Sequence, residues 1–276
     1  MDSGALVFVG IAPHPPVMVP EVGGASAREV RASVEAMREL TARINACGAQ
    51  TVVIISPHAP LQERAFVAYE GPRLSGDFAN FRAPHATVEA ALDAELLDAI
   101  TEAAAGESYR VVRLKGRELD HGTAVPLYFL IRNGWDGRVV ALGYSFLSDE
   151  DHVRFGACVG RAVERVGRPA AFVASGDLSH RLKPGAPAGF HPEARRFDEE
   201  VVQALRACAP ARVAEIDGGL RRLAGECGYR SMLVAVGAAS GSESACEVLN
   251  YEAPFGVGYL VAQLARKSDG LQGRTA

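Results

Sequence analysis

Short, almost wholly apolar runs in this chain break off abruptly at turns that carry histidine or aspartate, and this pattern constrains the fold more than any other feature. Residues 5–11 run into Pro13-His14-Pro15-Pro16, residues 51–56 into Pro57-His58-Ala59-Pro60, and residues 170–175 into Gly176-Asp177-Leu178-Ser179-His180. Runs this brief and this continuously apolar predict strands buried on both faces. Similar runs predict further strands at 65–69, 110–114, 138–144, 245–251 and 258–264. Amphipathic patterns between them predict helices at 27–47, 87–105, 124–133, 149–166, 192–208, 210–216 and 228–239. The expectation is a single α/β domain over 1–266, with a central mostly parallel or mixed β-sheet and helices on both faces, followed by a loose tail at 267–276. A chain of 276 residues, 48% hydrophobic, buries one full core of that kind.

Composition excludes several functions. A formal net charge of −4, with arginines interleaved among acids, gives no basic footprint for nucleic acid. No apolar run approaches the roughly 20 residues that cross a bilayer. Residues 1–16 lack the basic and apolar segments of a signal peptide, so a cytoplasmic protein is expected. The five cysteines (Cys47, Cys158, Cys208, Cys227 and Cys246) form no CxxC pair, which argues against a zinc ribbon or a disulfide framework. Cys158 and Cys208 fall in helical patterns and read as small buried hydrophobes. No GxGxxG or Walker-type loop is present, so no nucleotide cofactor is expected.

An α/β sheet collects its ligands beyond the carboxyl ends of its strands. Of seven histidines, His14, His58, His121 and His180 follow buried segments beside Pro or Gly, whereas His85, His152 and His191 lie in polar stretches and read as surface residues. Imidazoles gathered at the mouth of such a sheet suit zinc, iron or copper. A ferrous site that activates oxygen needs two neutral imidazoles and one carboxylate on one face, with the other face open. His14 and His58, each in a Pro-flanked turn that fixes the ring, are the imidazole candidates. The carboxylate candidates are Glu226, Asp177 and Glu252, and pattern alone does not rank them.

One family joins these segments. Ala12-Pro13-His14-Pro15-Pro16, Ser56-Pro57-His58, Gly76-Asp77-Phe78-Ala79-Asn80-Phe81, Leu119-Asp120-His121-Gly122, Ser175-Gly176-Asp177-Leu178-Ser179-His180, Gly225-Glu226-Cys227-Gly228 and Tyr251-Glu252-Ala253-Pro254-Phe255-Gly256-Val257-Gly258-Tyr259 together resemble the class III extradiol ring-cleavage dioxygenases, with their LigB-like catalytic subunit. The resemblance covers residues 12–259 in family order and is closest to the Memo-like branch that includes AmmeMemoRadiSam components. It implies Fe(2+) held by His14, His58 and Glu226, with His180 as the acid–base residue and His121 contacting substrate or O₂. It implies a catechol-type aromatic and O₂ as substrates. Some relatives work with a small second subunit, so a second chain or a homo-oligomer is a further expectation. In the Memo-like branch a cysteine stands where the dioxygenases have their glutamate, and this chain offers Glu226 and Cys227 side by side. The hard carboxylate suits Fe(II) and O₂, whereas a thiolate favours zinc or copper; the expectation is therefore Glu226. Two other functions would use the same residues: a zinc hydrolase on this fold, and a Memo-like metal- or peptide-binding protein without turnover. Arg181, Lys183, Tyr229 and Arg230 flank the motifs and could meet a substrate carboxylate or phenol.

Overall fold

The apolar runs form strands of one mixed sheet. A computed structural model describes residues 6–242 and 244–267, and most of the expected tail lies outside the described residues. In chain order the elements are β1 (Leu6–Ala12), α1 (Pro20–Gly23), α2 (Arg31–Ala46), β2 (Thr51–Ser56), β3 (Phe66–Glu70), β4 (Arg73–Phe78), β5 (Ala83–Leu92), α3 (Ala94–Gly106), β6 (Val111–Lys115), α4 (His121–Arg132), β7 (Arg138–Gly143), α5 (Asp149–Val166), β8 (Ala170–Ser175), α6 (Ala194–Arg206), α7 (Gly218–Ala224), α8 (Tyr229–Ala238), β9 (Ser244–Glu252) and β10 (Tyr259–Arg266). The strand order is β4-β5-β7-β2-β8-β1-β10-β9, with β3 and β6 attached beside β7. Strands β7, β2, β8 and β1 run parallel to one another. Strand β10 returns antiparallel along β1 and β9 along β10.

Period-2 alternation within fully apolar strands explains the two buried faces. Val53 and Ile55 of β2 and Phe172 of β8 pack on one side with α3, α5, α6 and α8. Val52 and Ile54 of β2 and Val173 of β8 pack on the other with α2 and α4. Among the described residues no helix is long and apolar enough to cross a membrane.

Two sequence expectations are corrected here. The helix expected at 87–105 begins as strand β5, and helix α3 starts only at Ala94. In β5 Ala86, Val88 and Ala90 are buried while Thr87 and Glu89 are exposed; this alternation outweighs the helix propensity of the alanines. Strand β4, absent from the sequence reading, is its antiparallel partner. His152, expected on the surface, is fully buried on α5, with Nδ1 2.7 Å from the Ser148 carbonyl and Nε2 3.1 Å from that of Ser145.

The switch from β5 to α3 falls on buried Asp93. Its Oδ1 accepts from Leu96 N at 3.1 Å, capping α3, and from Arg168 at 2.7 Å; its Oδ2 accepts from Thr51 Oγ1 at 2.5 Å. Asp93→Ala uncaps the helix and leaves buried Thr51 without its acceptor, while Arg168 keeps only Glu95, so urea denaturation should show a loss of about 2–4 kcal/mol. A loss below about 1 kcal/mol would show that solvent replaces these bonds.

Candidate metal centre

Strand register delivers the site. Ala12 of β1 pairs with Ser175 of β8, and Ile55 of β2 with Ala174 of β8. His14, Asp177 and His58 each stand two residues beyond Ala12, Ser175 and Ser56, so three neighbouring strands present them at one level on the carboxyl edge of the sheet. His121 arrives from the other side as the first residue of α4, capped by Asp120, whose side chain accepts from Thr123 N.

His14 is the hub. It is 2% exposed, and its backbone N–H donates to Asp177 Oδ1 at 3.1 Å. Its Nδ1 lies 2.9 Å from Ser175 Oγ, and that hydroxyl donates its one hydrogen to the Gly122 carbonyl at 2.5 Å. Ser175 can therefore only accept from His14, which holds the proton on Nδ1 and leaves the Nε2 lone pair free. That Nε2 lies 3.1 Å from His58 Nε2, 3.6 Å from Cys227 Sγ and 3.8 Å from Asp177 Oδ2. Donors sharing one ion at bonds of about 2.1 Å for nitrogen and 2.3 Å for sulfur would sit roughly 3.0–3.6 Å apart. Among the described residues two groups have the spacing of metal ligands, His14–His58–His121 and His14–Asp177–Cys227, with His14 common to both.

Hydrogen bonds hold the other members. His58 N donates to Ser56 Oγ at 3.1 Å, and Ser56 Oγ donates to Asp120 Oδ1 at 2.5 Å. Tyr69 donates to the other Asp120 oxygen at 2.9 Å. The His58 and His121 rings stack at 4.3 Å, and Phe81 meets His121 edge-on at 5.3 Å. Cys227 is drawn in by backbone: Asp177 N donates to its Sγ at 3.4 Å, and Gly228 N donates to Asp177 O at 2.9 Å. The approach requires glycine, since a Cβ on Gly176 would lie 2.1 Å from Gly228 Cα.

Glu226 is not brought to this cluster. Its Oε2 accepts from Tyr229 N at 2.7 Å, three residues ahead at the start of α8, and its Oε1 lies 4.0 Å from Arg221 Nε. A carboxylate at a helix N-terminus satisfies a free amide and the helix dipole, and these contacts engage both Glu226 oxygens. Glu252 is also spent elsewhere, accepting from Ser33 N at 2.9 Å and Ser33 Oγ at 2.5 Å. Asp177 and Cys227 are the acidic donors that reach His14. His180 stands outside both groups, yet close enough to lower the pKa of His14, and its buried Nδ1 makes no hydrogen bond within the protein. Of the flanking residues, Arg230 lies over the rings of Tyr144 and Phe146, Lys183 bonds the Pro254 carbonyl, and Arg181 packs against Gly225.

Burial sets the protonation states. Desolvation, then neighbouring imidazoles, hold His14 well below the usual histidine range; the same causes bring His58 to about 4. Burial also lowers His121 and His180. At neutral pH these rings are uncharged and able to bind a cation. Burial raises Asp177 to about 7, and burial and then Asp177 push the Cys227 thiol well above its ordinary value. Among the described residues no lysine or arginine pairs with Asp177. A buried carboxylate beside free imidazole lone pairs and lacking a cation fits a divalent metal.

An α/β sheet that gathers His14, His58, His121, Asp177 and Cys227 at its carboxyl edge presents a donor set suited to a metal ion. The family model described as the catalytic LigB subunit of aromatic ring-opening dioxygenase matches residues 9–262. The chain belongs to that family. It is 38% identical over 262 residues to Protein CA_C1420 of Clostridium acetobutylicum, covering 91% of this chain and 56% of that protein. The chain thus spans little more than half the length of that curated relative. An uncharacterized protein, JW3007 from Escherichia coli K12, shares the fold with a TM-score of 0.61 at 17% identity, over 94% of this chain and 100% of its own.

The titrations give signed expectations. Burial brings Asp177, Asp198 and Glu226 to about 7, so in metal-free protein each contributes stability that is full below about 4 and lost as pH rises through about 7. Buried His14 and His152, both lowered chiefly by burial, act oppositely: their contribution is full above about 6.5 and lost as pH falls. A bound cation displaces protons from Asp177 and Cys227. Metal affinity should therefore fall between about pH 8 and pH 6, about tenfold per unit for each proton released. Anaerobic chelator competition measures this; Cys227→Ala should cost about 10–100-fold in affinity, and Glu226→Gln less than about threefold. The reverse ranking would return the metal to Glu226.

Proposed function

We propose that this chain binds one non-haem ferrous ion and opens the ring of a catechol-type aromatic with O₂ in the extradiol manner. The observation that carries this reading is the His14 Nε2 lone pair, freed by Ser175, converging with His58, Asp177 and Cys227. Family membership supports the reaction class. His14, His58 and Asp177 would hold the iron, with Cys227 beside them. When bound, iron brings diol and O₂ together and passes electron density between them. His180 is neutral because burial lowers its pKa, and its unengaged Nδ1 can take the proton of a diol hydroxyl and later return it. His121, stacked on His58, presents a ring to developing oxygen charge. Phe81, packed edge-on against His121, gives the apolar wall that an aromatic ring needs.

Cys227 favours a second reading. Its sulfur, in the group of His14 where a glutamate was expected, ranks the site with those preferring zinc or copper, which would hold an ion without oxygen chemistry. Anaerobic loading with Fe(II) or Zn(II), followed by a catechol panel in air, separates the two. The first reading expects O₂ uptake and yellow ring-fission product with Fe(II) alone. His180→Ala should retain iron and lose about 10²–10⁴-fold in turnover. Tight zinc binding with no O₂ uptake across the panel would establish the second.

A further inference from the structure

Outside the metal centre, two cysteines from distant parts of the chain meet. Cys208 follows the end of α6 and Cys246 lies on the edge strand β9, 38 residues on. The backbone N–H of Cys246 donates to Cys208 Sγ at 3.2 Å, which places that sulfur at most about 4.7 Å from Cys246 Cα, an N–Cα bond being about 1.5 Å. Cys246 Sγ donates to the Leu264 carbonyl at 3.3 Å, and burial and then the neighbouring Cys208 push its thiol up. Disulfides join residues whose Cα atoms lie about 4.4–6.8 Å apart with side chains facing; the bond to the Cys246 amide brings the Cys208 sulfur up to the other cysteine's backbone. We propose that Cys208 and Cys246 form a reversible disulfide by exchange with small disulfides, making them a covalent modification site separate from the metal centre.

Exposure orders the steps. Cys208 is exposed, contrary to the buried role expected from its helical pattern, because the helix ends at Arg206 and Cys208 takes a left-handed φ of 49° beyond it. Glycine is the usual residue at such a position, so a cysteine here is held at a conformational cost. Cys158 is buried within α5 and Cys227 is committed to His14 and Asp177. In the reaction, Cys208 thiolate attacks one sulfur of a small disulfide such as oxidised glutathione; that S–S bond breaks and one thiolate leaves with the electron pair. Cys246 gives its proton to solvent and attacks Cys208 Sγ, expelling the second thiolate. The protein pair is oxidised by two electrons and the small disulfide reduced by two.

The pairing of β9 on β10 and of β10 on β1 sets Cys246 level with the middle of β1, below the edge that carries His14. The closed loop would contain α7, α8 and Cys227, so oxidation would restrain the segment that brings the thiol to His14 without consuming it. The test incubates the full-length protein in glutathione buffers of increasing oxidised fraction, followed by non-reducing peptide mapping and thermal melting. The expected result is one internal cross-link, Cys208 to Cys246, loss of two hydrogens, reversal by dithiothreitol and a melting midpoint several degrees higher. Cys246→Ser should stop at a glutathione adduct on Cys208, and Cys208→Ser should leave Cys246 unmodified. Wild-type protein with both thiols free at the oxidised limit, or a dominant cross-link through another cysteine, would overturn the proposal.

Discussion

The site depends on where one proton sits. Ser175 gives its only hydrogen to the Gly122 carbonyl and so must accept from His14. The proton is thereby fixed on Nδ1 and the lone pair on Nε2, the atom that His58, Asp177 and Cys227 surround. A histidine of the other tautomer would point an N–H at those groups and offer no lone pair to a cation. The constraint reaches into α4, because Gly122 lies in its first turn and a Cβ there would come within 2.3 Å of Ser56 Oγ. The start of α4, the end of β2 and the end of β8 are therefore locked to one another through small residues.

Sheet register does the rest. Three adjacent parallel strands end together, and each places its functional residue two positions past the last paired residue. The site needs little loop ordering of its own, because main-chain hydrogen bonds of the sheet have already fixed the points of departure. The Cys227 segment is the exception, arriving from between α7 and α8. It is held by two backbone bonds to the Asp177 carbonyl and by the meeting of Gly176 with Gly228.

These facts separate what the sequence made legible from what it concealed. His14, His58 and His180 could be read because each follows an apolar run at a Pro- or Gly-marked turn. Asp177 could be placed among the candidates by the same rule, but its burial without a cationic partner is a property of the folded chain. Glu226 and Cys227 are adjacent, and pattern does not say which faces the histidines. The available local signal was the distance of three from Glu226 to the first residue of α8, a spacing at which a carboxylate serves the helix start in place of a metal. His152 looked exposed because its neighbours are charged, while the helix face it shares with Phe155 and Val159 is buried. The β4–β5 hairpin was hidden by alanines whose helical propensity masks period-2 burial. Cys208 and Cys246 meet where the end of α6 packs against β9, a contact between segments 38 residues apart that local pattern does not show.

Placement of a thiol where a glutamate was expected changes the charge of the centre. Asp177 is the one carboxylate in the group of His14, so a divalent ion held there would keep one net positive charge while Cys227 stays protonated. Ionisation of Cys227 would neutralise that ion and strengthen the hold on it. Burial pushes the Cys227 thiol up, and the Asp177 charge pushes it further, so the metal-free protein favours the protonated thiol and a bound cation would have to displace that proton. The depth at which the chain buries that sulfur therefore sets how much of a cation's binding energy would go into releasing the thiol proton.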